Sequence, residues 1–260
     1  MSTSKERFLE RGHGMTDMRV ILQGYGTVGS VTAAILREAG HEVGIHDPAK
    51  GREATGRCDV LVICTPCLTG DLDPLPEGVT FDEVVVRSTV KPDAFESLPE
   101  GHRHHWPEFL RECSAEADAR HPDMIVWGSD TPIRGERTAR NLLGSHFDVA
   151  PFLWGSLVAS TLIKLGINAL GTAKKLVANA LYDACGRDDD CYRAIRRGIV
   201  ADHRFSSCYM DIWQDGFRGA GGKCLPKDLR ILTQVVGMSP TNAMLQSMQC
   251  TNESLMEDVT

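Results

Sequence analysis

The stretch from Met18 to Asp47 restricts the fold more than any other part of this chain. A short apolar run, Met18 to Leu22, leads into Gln23-Gly24-Tyr25-Gly26-Thr27-Val28-Gly29, and an apolar helical pattern follows through Val31, Ile35 and Leu36 to Gly40. Glu42 to His46 reads as a second strand, ended by Asp47. Strand, glycine turn, helix, strand and terminal acid make one βαβ unit. Gly24 supplies the tight turn. Gly26 lets a pyrophosphate reach the helix N-terminus, and Gly29 lets that helix pack closely on the sheet. Asp47 comes about 20 residues after the turn, where a carboxylate takes ribose hydroxyls and disfavours a 2′-phosphate. Lys50 and Arg52, close by, pull the other way. The pattern predicts a dinucleotide site spanning Gly24 to Gly29 and Asp47, with NAD preferred over NADP.

Further strands follow. Asp59 to Cys64 is a buried-type run ending in Thr65-Pro66, and the link back to Asp47 is too short for a complete α/β crossover, so the sheet is expected to be trimmed there. Glu83 to Arg87 ends in Ser88-Thr89-Val90, and Met124 to Trp127 is closed by Gly128-Ser129-Asp130. Parallel sheets bind ligands beyond the carboxyl ends of their strands, so Thr65 and Thr89 are expected to face a cofactor. The alternative for each is a hydroxyl satisfying loop backbone. Cys64-Thr65-Pro66-Cys67 has the spacing of a redox or metal pair, but no second pair completes it, and a strand running into a loop is expected instead. His102, His104 and His105 crowd one stretch without a matching acid or cysteine pattern, which reads as a solvated loop. Pro107 is expected to start a helix with Glu108 and Glu112 on one face.

The second half is helical in pattern. From Gly155 to about Asp183, Leu157, Thr161, Leu165, Ala169, Leu176 and Ala180 form one mostly apolar stripe, widened by Ile163, Ile167 and Leu170. Lys164 and Asn168 are an i, i+4 pair on another face, repeated by Lys175 and Asn179. A lysine and an asparagine together can grip a developing oxyanion; a solvated helix face is the alternative. Shorter helices are expected at Tyr192 to Ile199, Lys227 to Val236 and Thr241 to Glu257. Between them lies Gly219-Ala220-Gly221-Gly222-Lys223-Cys224-Leu225-Pro226-Lys227-Asp228. Its glycines allow close approach of a ligand. Cys224 has the chemistry of a nucleophile, Lys227 would favour its thiolate, and Asp228 suits a base or a group that orients water. An ordinary Gly-rich turn with a buried cysteine is the alternative.

These patterns predict an α/β fold, a Rossmann-type doubly wound parallel sheet over 17–153 followed by an all-helical domain over 154–260, with 1–16 a flexible tail. At 260 residues, 42% of them hydrophobic, the chain can bury a full core. A formal charge of -7 gives no support to a nucleic-acid footprint, which would need a basic face, while leaving room for a local basic pocket for an anionic substrate. No apolar run approaches the roughly 20 residues of a membrane span. Met1 to Gly14 is polar and charged, unlike a signal peptide, and the 9 cysteines are scattered and odd in number. A cytoplasmic protein is expected.

On these ordered segments the chain resembles the UDP-glucose and GDP-mannose dehydrogenases: Gly24 to Gly29, Ser88-Thr89-Val90, Pro107-Glu108-Phe109-Leu110-Arg111-Glu112, Lys164 with Asn168 and Lys174, and Gly219 through Asp228. The resemblance runs from about Met18 to Asn252. It implies NAD-dependent, four-electron oxidation of a nucleotide-sugar alcohol to the uronate, in a homodimer paired through its central helices, with no metal. It implies Cys224 as nucleophile, Lys164 and Asn168 as the oxyanion pair, and Asp228 as the acid ordering them and a water. Glu108 would serve in general acid-base work, assisted by Thr89. The resemblance places Thr65, Pro66, Ser88, Glu112 and Lys227 beside the cofactor, and Phe109, Leu110, Arg204, Gly219 and Gly221 with Glu108, Lys164 and Asn168 at the substrate.

Departures from the pattern are Trp106 for asparagine, Cys113 for glycine, Ala220 for an aromatic residue, Lys223 for a small residue, and Ala180 for glutamate. Such proteins also continue into a second Rossmann-like domain over the nucleotide, before which this chain stops, so a short form is expected. Two rival readings remain. One is a two-electron dehydrogenase of the β-hydroxyacid type, which uses a helical lysine and asparagine and needs no cysteine. The other is a non-enzymatic dinucleotide- or sugar-nucleotide-binding protein.

Overall fold

The computed structural model describes residues 17–214 and 216–259, apart from the side chain of Glu112. The tail expected at 1–16 and the Glu112 side chain lie outside the described residues. The chain divides into two compact units. One comprises residues up to Pro66, Leu72–Ser88 and Phe95–Ser160, and the other comprises Cys67–Asp71, Thr89–Ala94 and Thr161–Thr260.

The first unit is built on an eight-stranded sheet in the order β3-β2-β1-β4-β5-β6-β7-β8. Its strands are β1 (Arg19–Gln23), β2 (Glu42–Asp47), β3 (Arg52–Glu53), β4 (Gly56–Ile63), β5 (Val79–Val86), β6 (Arg103–His105), β7 (Ile125–Ser129) and β8 (Phe152–Gly155). Most neighbours are parallel; β2 with β3 and β6 with β7 are antiparallel. The sheet is therefore mixed and Rossmann-like. Val60, Leu61, Val62 and Ile63 in β4, with Val84, Val85 and Val86 in β5, are fully buried, as strands covered on both faces require. The short link after Asp47 holds no crossover helix: the chain turns through Pro48–Lys50 into β3 and then enters β4 beside β1. Helices α1 (Thr27–Glu38), α2 (Ala115–Arg120) and α3 (Pro132–Leu143) also belong to this unit.

Two expectations are corrected here. The histidine stretch is not a solvated loop. Arg103–His105 is a strand, and both His104 and His105 are completely buried. His104 is satisfied by Ser129 Oγ at 2.9 Å and Glu83 Oε2 at 3.2 Å, and His105 by Ser160 Oγ at 2.9 Å and the Ser88 carbonyl at 3.3 Å. Buried polar groups are tolerated when so partnered. Nor does Pro107 start a helix: residues 107–110 are irregular, a 3₁₀ turn spans Glu112–Ser114, and α2 begins only at Ala115. The Glu108 carboxylate bends back to accept from the Leu110 amide at 2.7 Å. A local acceptor of this kind competes with helix formation.

Helix α4 (Leu157–Ala184) begins in the first unit and runs on through the second, which also holds α5 (Asp189–Ala201), α6 (Leu225–Val236) and α7 (Asn242–Met256). Asp188 caps α5 by accepting from the Cys191 amide at 2.6 Å. Leu229, Leu245 and Ala169 form a small core linking α4, α6 and α7. Arg218, almost wholly buried, ties this unit together. Its guanidinium donates to Asn179 Oδ1 at 2.9 Å and lies 2.9 Å from both Asp183 and Asp258.

Candidate functional site

In the first unit the glycine turn is shaped by packing. Gly24 has φ +87, and a Cβ there would lie 3.1 Å from the Cys64 backbone. A Cβ on Gly29 would come within 2.1 Å of the Gly24 carbonyl oxygen, so the helix can sit this close only without one. Gly26 differs: a Cβ there would meet nothing within 4 Å. The space stands at the N-terminus of α1, of which Gly26 is the capping residue, and free amide hydrogens there attract anions. A cavity of about 650 Å³ at this end is lined by Tyr25, Gly26, Thr27, Ser30, Lys50 and Arg52. Arg52 lies over the Tyr25 ring at 4.5 Å, and Lys50 Nζ donates to the Tyr25 carbonyl at 2.5 Å. Asp47 Oδ2 accepts from the Tyr25 amide at 2.8 Å, holding the acid at the turn. These residues fit the phosphates and ribose of a dinucleotide. A second cavity, about 520 Å³, is lined by Gly24, Asp47 and Thr65 together with Gln23 and Pro74 to Glu77. Ser88 Oγ donates to the Thr65 carbonyl at 2.6 Å, which fixes the loop after β4. Pro66 is exposed and Val28 half-buried. Glu108 is buried, with Phe109 and Leu110 partly so.

In the second unit Lys164, Asn168 and Asp228 are each more than nine-tenths buried. Asn168 Nδ2 donates to Asp228 Oδ2 at 2.5 Å, and Lys164 Nζ stands 4.0 Å from the same oxygen. Lys227 Nζ lies 2.9 Å from Oδ1 in ion-pair contact without the alignment of a hydrogen bond. Two cations thus flank one buried carboxylate, which compensates the cost of burying it together with Lys164. The helix face carrying Lys164 and Asn168 is not solvated. Cys224 is exposed rather than buried, at the N-cap of α6, one turn before Asp228. The preceding loop takes Gly219 at φ +85 and Gly222 at φ +73, where side chains are strained. A Cβ on Gly221 would press to 2.3 Å from the Phe217 ring. Thr89 is buried and counted with this unit. The Arg204 guanidinium is exposed and pairs with Asp202 at 2.6 Å.

The repeated pair Lys175 and Asn179 has a different task. The Lys175 ammonium donates to the Asp211 carbonyl, burial pushes its pKa down, and Asn179 holds Arg218. Sequence reasoning missed Arg218, and it missed Asn252, whose amide grips Ala220 from both sides. The Ala220 amide donates to Asn252 Oδ1 at 2.6 Å, and Asn252 Nδ2 donates to the Ala220 carbonyl at 2.9 Å. It also missed Arg87, buried flat against Trp106 with its Cζ 3.6 Å from the ring centre. Burial drives the Arg87 pKa down to about 10, against the opposing fields of Cys64 and Glu108. The aromatic departure at 106 gives the only cue to that stack. Among the described residues, no cluster of three or more histidines, cysteines or acids could hold a metal, and no helix is long and apolar enough to cross a membrane.

No family model matches the sequence. The UDP-glucose 6-dehydrogenase of Rickettsia felis is 29% identical over 175 residues, covering 64% of this chain but 38% of its own length. The chain therefore spans well under half of that relative. In three dimensions, a UDP-glucose dehydrogenase from Pyrobaculum islandicum superposes with a TM-score of 0.72 at 22% identity, over 94% of this chain and 69% of that one. The fold is that of the nucleotide-sugar dehydrogenases. It is also shared by the 3-hydroxyisobutyrate dehydrogenase of Mycobacterium tuberculosis, with a TM-score of 0.64 at 17% identity over 94% of this chain and 96% of that one.

Proposed function

We propose that the protein is an NAD-dependent dehydrogenase that oxidises the primary alcohol of a nucleotide sugar to the uronate by four electrons. The observation that carries this reading is the buried set Lys164, Asn168 and Asp228 with Cys224 at the head of the helix that bears Asp228. NAD, when bound at the glycine turn, would accept a hydride in each of two oxidations. A water ordered by Asp228 takes the hydroxyl proton of the alcohol, and Lys164 stabilises the resulting alkoxide, its charge held in place by Asp228. Cys224 adds as thiolate to the aldehyde carbon, a position that the N-terminus of α6 favours for an anion. Lys164 and Asn168 then face the oxyanion of the thiohemiacetal. Loss of the second hydride leaves a thioester on Cys224. Glu108 takes a proton from water as that water attacks the thioester carbon, and the C–S bond breaks to return the thiol and the carboxylate. Asp47 favours NAD over NADP. We assign the working form as a homodimer.

A second reading, two-electron oxidation of a β-hydroxyacid, is supported by Lys164 and Asn168 at i, i+4 on one helix, a pair that such chemistry uses without a cysteine. Intact-protein mass and NADH yield, measured after reaction of NAD with a panel of sugar nucleotides, separate the two. Two NADH per substrate and an adduct confined to Cys224 are expected. One NADH, no adduct and full activity in Cys224→Ser would transfer the protein to the second class.

A further inference from the structure

Buried threonines inside helices usually spend their hydroxyl on the carbonyl four residues back. This chain does so at Thr32, which donates to Val28 at 2.8 Å, and at Thr172, which donates to Asn168 at 3.0 Å, and the half-buried Thr233 donates likewise to Leu229 at 2.8 Å. Thr161 breaks the pattern. It is 1% exposed, yet its Oγ1 has no hydrogen-bond partner. The carbonyl it would ordinarily use, that of Leu157, already accepts from Ser160 Oγ at 2.9 Å.

An orphaned buried hydroxyl costs about 1–3 kcal/mol, so a position that retains one invites a ligand atom. Thr161 lies three residues before Lys164 and seven before Asn168 on α4. The i, i+3, i+7 spacing puts all of them on one helix face. Thr161 is about 4.5 Å along the axis from Lys164, and helical side chains lean toward the N-terminus, so the lysine stem runs back over the threonine's turn.

Resting on the reading of Lys164 and Asn168 as the oxyanion pair, we infer that Thr161 is a substrate-binding residue. Its hydroxyl pairs with a hydroxyl of the substrate neighbouring the carbon being oxidised, and with a water in the free protein. The substrate class this suits is a polyol, since a lone hydroxyl can both donate to and accept from another.

Thr161→Val tests the inference, because it keeps the shape and removes only the orphan. The free variant should keep its Tm within about 2 °C, because the water leaves with the hydroxyl it served, and kcat/KM for the sugar nucleotide should fall about tenfold. Thr161→Ser, which restores a hydroxyl, should keep most of the turnover. A purely structural threonine would give a lower Tm with unchanged turnover, and either result in Thr161→Val overturns the inference. A crystal structure of the wild-type protein gives a readout independent of turnover. It should place an ordered water within hydrogen-bonding distance of Oγ1, and an Oγ1 bonded to a helix carbonyl would sink the inference even in an active enzyme. Inactivity on every sugar nucleotide, with that water present, counts against the functional reading and leaves the polar position supported.

Discussion

Asn168 and Asp228 are joined by a 2.5 Å hydrogen bond across 60 residues of sequence. Through it a residue on α4 and a residue on α6 share one buried carboxylate, with Lys164 and Lys227 in attendance. Removing the acid should therefore be costly. Asp228→Ala leaves two cations without their counter-charge, and about 3–5 kcal/mol of stability should be lost. Urea titration measures it. A loss below about 1 kcal/mol would mean that the lysines find other partners.

Two glycines of the turn should respond differently to the same substitution. Gly29→Ala drives a methyl into the Gly24 carbonyl, so the first unit should fail to fold or lose several degrees of Tm. Gly26→Ala has room, and should cost no more than about 1 kcal/mol as a weaker N-cap. It should nonetheless weaken NAD binding at least tenfold, because the methyl occupies the space proposed for the phosphates. Calorimetry with NAD decides, and undiminished affinity would move the cofactor elsewhere.

His146 should make the protein acid-sensitive. Burial holds its pKa below the ordinary value, reinforced by the charges of Arg87 and Arg120 and opposed by the Ala119 backbone and Glu38. Below about pH 6.5 the unfolded chain gains a proton that the folded one refuses, so stability rises with pH through that window and falls as acid is added. His146→Gln should flatten the difference between urea midpoints at about pH 7.5 and about pH 5.5. An equal acid slope in the variant would assign the effect to another group.

Leu162, Leu170 and Val177 stand exposed along α4, with Leu170 73% accessible. Exposed aliphatic side chains on so long a helix suit an interface between copies. Light scattering should report a dimer at tens of micromolar, and Leu170→Glu should shift it toward monomer. A monomeric wild-type protein would remove the proposed homodimer.

The βαβ start was legible because its pattern is compact: the close approach at Gly29 involves the Gly24 carbonyl within the same motif, although the turn at Gly24 presses on Cys64 and Thr65 just after β4. The long helix was legible from its apolar spacing. By contrast, β6 could not be read from Arg103-His104-His105, since those histidines become core residues only through Glu83, Ser129 and Ser160, far away in sequence. The irregular run after Pro107 depended on which acceptor the Leu110 amide would find. In the candidate site, the i, i+4 spacing of Lys164 and Asn168 was visible, but their burial follows from Asp228. Lys175 and Asn179 have the same spacing and serve Asp211 and Arg218 instead. Spacing alone therefore does not separate a reactive pair from a structural one.

Asn252 also bears on the order in which the protein is made. Its side-chain amide copies a rung of a β-ladder against Ala220, and it comes 32 residues later in the chain. On the ribosome, Cys224 emerges well before the residue that shapes the loop leading to it. The glycine loop has no partner for the Ala220 amide until α7 is synthesised. A chain interrupted before residue 252 carries the cysteine without its setting, so maturation of that loop is tied to the last helix rather than to the segment that contains it.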